Sequence, residues 1–393
     1  MDTKRQCIVI GIIFLLIVIV FSGCTSHNKD ERGWIRYLSY SSDGTKLISV
    51  TYYNEVYYNN TIYAGCSDFQ IWNTSSGENI WSEFPSYKEI ALFSPDGKYF
   101  IISNTTIYDI TGEIKTQLDS NGTDFIDWSS NGNFILTYKY LYDEPCLLKI
   151  WDGKNFSLKY SFALVNQKYL ESITISPDGT KIAYINKDPF ESLNHVISVI
   201  DIAGGTFTNL WNKSIIIENR KSFDIQRNTL TWSLNNDTIG VICSSNTNNK
   251  LFIWNASDGQ LLYNISIDSN PNFSALLSPY CDSYMLEDLM YKNNLAHYNI
   301  SLKIFDLNGL KNIISPSIEN IYTFDWSYKG NTISVGGEDG IISLLNASTG
   351  NEIMLLKTPI RSVVQPIPSI SLGEFLLVVF IVTIILVFFE RKK

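Results

Sequence analysis

The side chains of this chain best able to do chemistry are serines and aspartates that recur together. Ser41 and Asp43, Ser94 and Asp96, and Ser176 and Asp178 each place a hydroxyl two residues before a carboxylate, with a glycine next. Carboxylates gathered at one point can hold a hard cation such as calcium. A serine beside a histidine and an aspartate can become an acyl-transfer nucleophile. The partners that either chemistry needs are scarce. The body has two histidines, His195 and His297, read as lying in loop-like insertions far apart. No Gly-x-Ser-x-Gly elbow and no glycine-rich phosphate loop occurs. No cluster has the three or four ligands at defined spacing that zinc requires. Most of the aspartates fall in turns, where hydrogen bonds to their own backbone are sufficient reason for them. The expectation is a chain that binds rather than catalyses and needs no metal or cofactor.

These residues recur because the chain repeats. One unit is a strand ending in Ser, a polar turn, and a second strand. Its copies are Tyr40-Ser41-Ser42-Asp43-Gly44, Phe93-Ser94-Pro95-Asp96-Gly97, Trp128-Ser129-Ser130-Asn131-Gly132 and Ile175-Ser176-Pro177-Asp178-Gly179. Weaker copies are Trp232-Ser233-Leu234-Asn235-Asn236, Leu277-Ser278-Pro279-Tyr280-Cys281 and Trp326-Ser327-Tyr328-Lys329-Gly330. Asp-Gly and Asn-Gly accept the positive φ of a tight hairpin. A second unit alternates with the first: a strand ending in an aromatic or apolar residue, then Asn or Asp, then a turn. It closes on Asn73, Asp109, Asp152, Asp201, Asn255, Asp306 and Asn346. Each unit occurs seven times, at about 45 residues per repeat, the length of a four-stranded propeller blade. A blade leaves an apolar face that its neighbour must cover, so a closed ring is the stable solution. The chain is expected to enter at Trp34–Tyr40 as a first inner strand and to leave through residues 352–358 as the last outer one.

Across about residues 33–360 the chain resembles the WD-repeat family of β-propellers. The best match is the last blade, from Phe324-Asp325-Trp326-Ser327 through Gly336-Gly337-Glu338-Asp339-Gly340 to Leu345-Asn346, with Asp339 where the family's structural Asp belongs. The family's Gly-His pair is absent, so its histidine-centred network has no counterpart here. A rival resemblance is to the Trp-docking blades of quinone-dependent dehydrogenases, carried by Asn73-Thr74-Ser75-Ser76-Gly77 through Trp81; Trp81 is read as blade packing. The resemblance to propellers admits one enzymatic alternative, a hydrolase or lactonase with a metal held by carboxylates of the central funnel.

The second-to-third strand connections are enlarged in blade 1 (Tyr57, Tyr58, Tyr63), blade 3 (Tyr138, Tyr140, Tyr142), blade 4 (Phe190, His195) and blade 6 (Tyr284, Tyr291, Tyr298). All emerge on one rim, and tyrosine gives large contact area with little rotamer entropy to lose. Tyr57, Tyr58, Tyr63, Tyr142, Phe190, Tyr284 and Tyr291 are therefore the candidate partner-binding residues, against the plainer reading that some merely alternate within strands.

Both ends read as membrane segments. Lys4 and Arg5 precede an apolar run, Ile8 to Phe21, short for a spanning helix and suited to a signal peptide, so residues 1–24 are a signal or lipoprotein signal. Val20-Phe21-Ser22-Gly23-Cys24 resembles a lipobox with Cys24 as lipid attachment; the alternative is an uncleaved anchor. Residues 361–371 read as a linker, 372–390 as a transmembrane helix, and 391–393 as a basic cytoplasmic tail by the positive-inside rule. Pro366-Ile367-Pro368, the apolar run and the basic tail also resemble an archaeal sorting signal that is cut off. Either arrangement puts the body outside the cytoplasm.

Twelve Asn-x-Ser/Thr sequons, at Asn59, Asn73, Asn104, Asn121, Asn155, Asn212, Asn236, Asn255, Asn264, Asn272, Asn299 and Asn346, fit a glycosylated surface protein. Cys66, Cys146, Cys243 and Cys281 show no obvious pairing and are expected as thiols. The net charge of −9 with scattered basic residues excludes nucleic acid as a partner class. The reading as a whole is an all-β, seven-bladed propeller with an N-terminal signal or anchor and a C-terminal transmembrane helix, placed outside the cell membrane and binding a protein or glycan of the envelope. A self-associating structural envelope protein is a further alternative.

Overall fold

The computed structural model describes residues 28–364 except positions 32, 59–60, 87–90, 103–104, 120–121, 141–145, 165–169, 188–194, 216–222, 226–229, 246–248, 268–274, 292–297, 315, 317, 319, 339 and 360. The expected signal with Cys24, the expected transmembrane helix and the basic tail lie outside the described residues. Among the described residues no helix is long and apolar enough to cross a membrane.

Two compact units are present. The larger, Arg32–Asn54 with Gly65–Pro359, is a seven-bladed β-propeller of small antiparallel sheets. In the smaller, Asn28–Glu31 pairs antiparallel with Arg361–Val364, so the expected linker begins as a strand. The first strands of the blades are Trp34–Tyr40, Ala91–Phe93, Phe125–Trp128, Leu170–Ile175, Thr231–Trp232, Ala275–Leu277 and Ile321–Trp326. In blade 5, Phe223–Ile225 also pairs with the second strand, Thr238–Ser245. The last outer strand is Glu352–Lys357.

The repeated Ser is a turn clamp. In every blade its N–H donates to the carbonyl five residues on, at 2.8–3.0 Å. The N–H of that same residue (Lys46, Tyr99, Phe134, Lys181, Thr238, Ser283 or Thr332) donates back to the Ser Oγ at 2.9–3.2 Å. Ser41, Ser94 and Ser176 also donate their hydroxyls to Asp43, Asp96 and Asp178 at 2.6–2.7 Å. The third residue after the Ser is left-handed in all seven turns: glycine in five, Asn236 (φ 68°) and Cys281 (φ 55°) in the others. Each Ser is buried, so losing one hydroxyl strands backbone groups that water does not reach.

The second recurring turn is an Asx turn. The side-chain oxygens of Asn73, Asp109, Asp152, Asp201, Asn255, Asp306 and Asn346 each accept the N–H two residues on, at 2.6–3.0 Å. In blades 1, 5 and 7 the residue two on is a Ser whose hydroxyl donates to the same oxygen, at 2.6–2.7 Å. Three of the sequons are thus turn chemistry in their own right. Asn255→Asp should leave stability unchanged, since four blades use Asp at this position. Asn255→Ala should lower it by about 1 kcal/mol. Urea midpoints of the two variants compare them directly.

Blades pack by alternation. In blade 1, Ile48, Val50, Phe69 and Ile71 cluster with Phe93, Phe100 and Ile102 of blade 2. The opposite face, Ile35, Leu47 and Trp72, clusters with Ile342, Leu344 and Leu356 of blade 7 and closes the ring. Outer strands add a second contact, a ring seated on the next blade's turn glycine. Trp81 covers Gly112 and Tyr160 covers Gly205. Trp211 covers Gly259 and donates its indole N–H to the Ala256 carbonyl at 3.0 Å. Trp81 is therefore packing, in a docking manner, and Trp211 is a stronger instance that its sequence context does not announce. In blade 3 the equivalent turn position carries Phe156, left-handed at φ 63°, its ring edge-on to Tyr99 of blade 2.

Candidate functional site

The first strands of all seven blades line an axial channel of about 1090 Å³. Repeat position decides what each blade shows to it. Two residues before the clamp Ser, the lining is Ser39, Leu92, Asp127, Thr174, Thr231, Leu276 and Asp325. The two carboxylates lie on blades 3 and 7 and join neighbouring blades. Asp127 Oδ2 accepts the Ile175 N–H at 3.0 Å and the Thr174 hydroxyl at 2.9 Å, while its Oδ1 accepts the Trp128 N–H at 2.8 Å. Asp325 Oδ2 accepts the Tyr40 N–H of blade 1 at 3.0 Å. Burial pushes Asp127 up to about 6 and Asp325 up to about 7, against the opposing pull of those hydrogen bonds. Both still touch the channel, so contact with channel water tempers the effect. Tyr37 and Tyr328 share the space; burial first and the nearby carboxylates second hold their phenols protonated well above the usual range.

Five residues before the clamp Ser lies the mouth of the channel. Arg36, Asp124 and Glu171 of blades 1, 3 and 4 line it there, and Tyr322 holds the same repeat position on blade 7, beside Trp34. Arg36, Glu171 and Tyr322 are each the extra residue of a β-bulge, between Ile35 and Tyr37, Leu170 and Ser172, and Ile321 and Thr323. A bulge takes its residue out of the in-out alternation and re-aims the side chain. The Arg36 guanidinium lies 3.9 Å from the Tyr52 ring centroid and 5.9 Å from that of Trp34. Trp34 stacks on Tyr52 at 6.0 Å and meets Tyr322 at 6.2 Å. Across the mouth, Asp124 pairs with Lys139 at 3.6 Å, and Glu171 with the His195 ring at 2.9 Å.

The tyrosine candidates separate on the structure. Tyr284 is a correction: it is buried at 4% exposure and stacked on Phe305 at 5.0 Å, because its place in the second strand turns it toward the blade 5 face rather than outward. His195 is corrected as well; it begins a third strand, fully buried, rather than lying in a loop. Tyr57, Tyr58, Tyr63 and Tyr291 occupy strands, with side chains outside the described residues. Tyr142 and Phe190 lie outside the described residues, as do Asn59, Asn104, Asn121, Asn272, Asp339 and the side chain of Asn299. Asn155, Asn212 and Asn264 are exposed, while Asn236 donates to Asp178 at 2.7 Å. Cys66, Cys146, Cys243 and Cys281 are buried thiols, and burial pushes Cys281 up to about 12. Among the described residues no three His, Cys, Asp or Glu side chains gather where a metal ion could be held.

The mouth residues carry no motif of their own in the sequence. Their only signal was a shared offset from the clamp Ser, and bulges are invisible without the pairing partner.

No protein-family model matches the chain, and no curated protein matches it either. The structure shows the seven-bladed fold, and the WD-repeat likeness is a resemblance of motifs.

Proposed function

We propose that the chain is a binding scaffold: a propeller tethered outside the cell membrane that recognises a protein or glycan of the envelope. The observation that carries this reading is where the reactive groups go. The repeated serines and Asx residues, which looked most able to do chemistry, are committed to turn hydrogen bonds. The channel carboxylates Asp127 and Asp325 hold neighbouring blades together. What remains outward-facing is a channel mouth whose bulged residues carry charge and aromatic surface, the composition of a recognition surface. The tether rests on the apolar runs at the two ends. A fold of this kind hosts many activities, so it adds no weight of its own to the choice.

The test is capture from envelope extract with the full chain in mild detergent. Wild-type protein should retain a reproducible set of proteins or glycans. Tyr322→Ala, at an exposed mouth position, should reduce that capture several-fold with an unchanged unfolding midpoint. Equal capture by wild type, variant and an unrelated tethered propeller would overturn the reading.

A further inference from the structure

We propose that the blade 7–blade 1 side of the channel mouth is a subsite for a carboxylate-bearing sugar, with Trp34 and Tyr322 under the sugar rings and Arg36 on the carboxylate. The inference rests on the glycan branch of the scaffold reading and supplies its ligand class.

Two equivalent bulges build the subsite. They extrude Arg36 from blade 1 and Tyr322 from blade 7 at the same repeat position, and Trp34 joins them into a continuous aromatic surface with Tyr52. Tyr322 is 49% exposed although a packed blade lies beneath it. The Trp34 and Tyr322 rings are tilted by 39°. A flat aromatic ligand would stack on one of them and miss the other. Successive pyranose units of a twisting oligosaccharide present apolar C–H faces at changing tilt and suit both.

The charge selects the sugar. Arg36 is an exposed cation in a chain of net charge −9, and among the described residues no ion pair engages it. Its guanidinium carbon sits 3.9 Å over the Tyr52 ring, and its fork of N–H donors suits a carboxylate. The acids across the mouth are differently placed. Asp124 and Glu171 lie across the mouth beside Lys139 and His195, and Glu338, which adds to burial in raising the Tyr322 phenol, accepts from the Asn320 amide; Arg36 is the cation beside the rings. Lined in part by Arg36 and Tyr52, the channel of about 1090 Å³ gives room for the rest of the ligand.

The test is isothermal titration calorimetry on the full chain in mild detergent at low salt, with trigalacturonic acid and neutral maltotriose as probes. The acidic trimer should bind about tenfold tighter than the neutral one, the expected worth of one charge-assisted pair. Arg36→Gln should erase that preference, Arg36→Lys should keep part of it, and Tyr322→Ala should weaken both trimers. No saturable binding of either trimer to wild type, equal binding of the two, or a preference untouched by Arg36→Gln would each overturn the proposal. If the trimers fail while envelope capture persists, the sugar subsite falls and the scaffold stands. If capture fails too, both fall.

Discussion

Trp211→Ala should lower the stability of the propeller by about 3–5 kcal/mol, the range for removing a large buried aromatic. Trp211 is 8% exposed, belongs to the cluster that joins blades 4 and 5, and donates its indole N–H to the Ala256 carbonyl of the next blade. Trp211→Phe keeps much of the ring and loses the N–H, so its cost should be smaller, about 1–2 kcal/mol. Gly259→Ala makes the reciprocal case. At φ 69° a side chain is strained, and its Cβ would meet the Trp211 ring at 2.6 Å. Once Trp211 is Ala that clash is gone, so the pair should cost less than the sum of the single changes. Urea unfolding of all four proteins completes the cycle. Additive effects would mean that the ring and the glycine are not coupled, and that the outer docking contacts do not hold the blades together.

Asp325 should make stability fall as pH rises. In the folded chain burial lifts its carboxyl up to about 7, above the ordinary value of 3.8. Below pH 4 folded and unfolded chains both carry the proton, and the group is neutral to stability. Between about 4 and 7 the unfolded chain ionises freely while the folded one holds its proton, so stability declines. Above 7 the loss is complete, at about 2–4 kcal/mol once contact with channel water is allowed for. Asp325→Asn keeps an acceptor for the Tyr40 N–H without titrating. It should flatten the curve and exceed wild type at pH 8. Asp325→Ala leaves that N–H without its partner and should cost about 1–3 kcal/mol near pH 4, a cost that shrinks as pH rises because the variant escapes the ionisation penalty. Asp127, raised to about 6, adds a smaller decline of the same sign over a lower window. Turn carboxylates act oppositely: burial raises Asp178, but the Ser176 hydroxyl and the Thr180 N–H more than offset it, and that stabilisation is lost only as pH falls below about 4. Measurements from pH 4.5 to 8 therefore isolate the channel pair. A wild-type curve as flat as that of Asp325→Asn would refute the account.

The sequence by itself determined the number of blades and the chemistry of their turns. Both are local facts. The Ser clamp closes within five residues and the Asx turn within two, so each turn carries its own signature wherever it occurs in the chain. Tertiary structure alone decided what the turns hold in place. Tyr284 read as surface and is core, because the face it occupies depends on which neighbour covers it. Trp211 became a docking residue only when Gly259 of another blade was brought beneath it. Trp34, Arg36 and Tyr52 meet Tyr322 only because the ring closes and sets the first blade against the last. A contact between residues almost a chain length apart leaves no pattern in either segment, whereas a hydrogen bond across a turn leaves one in every copy.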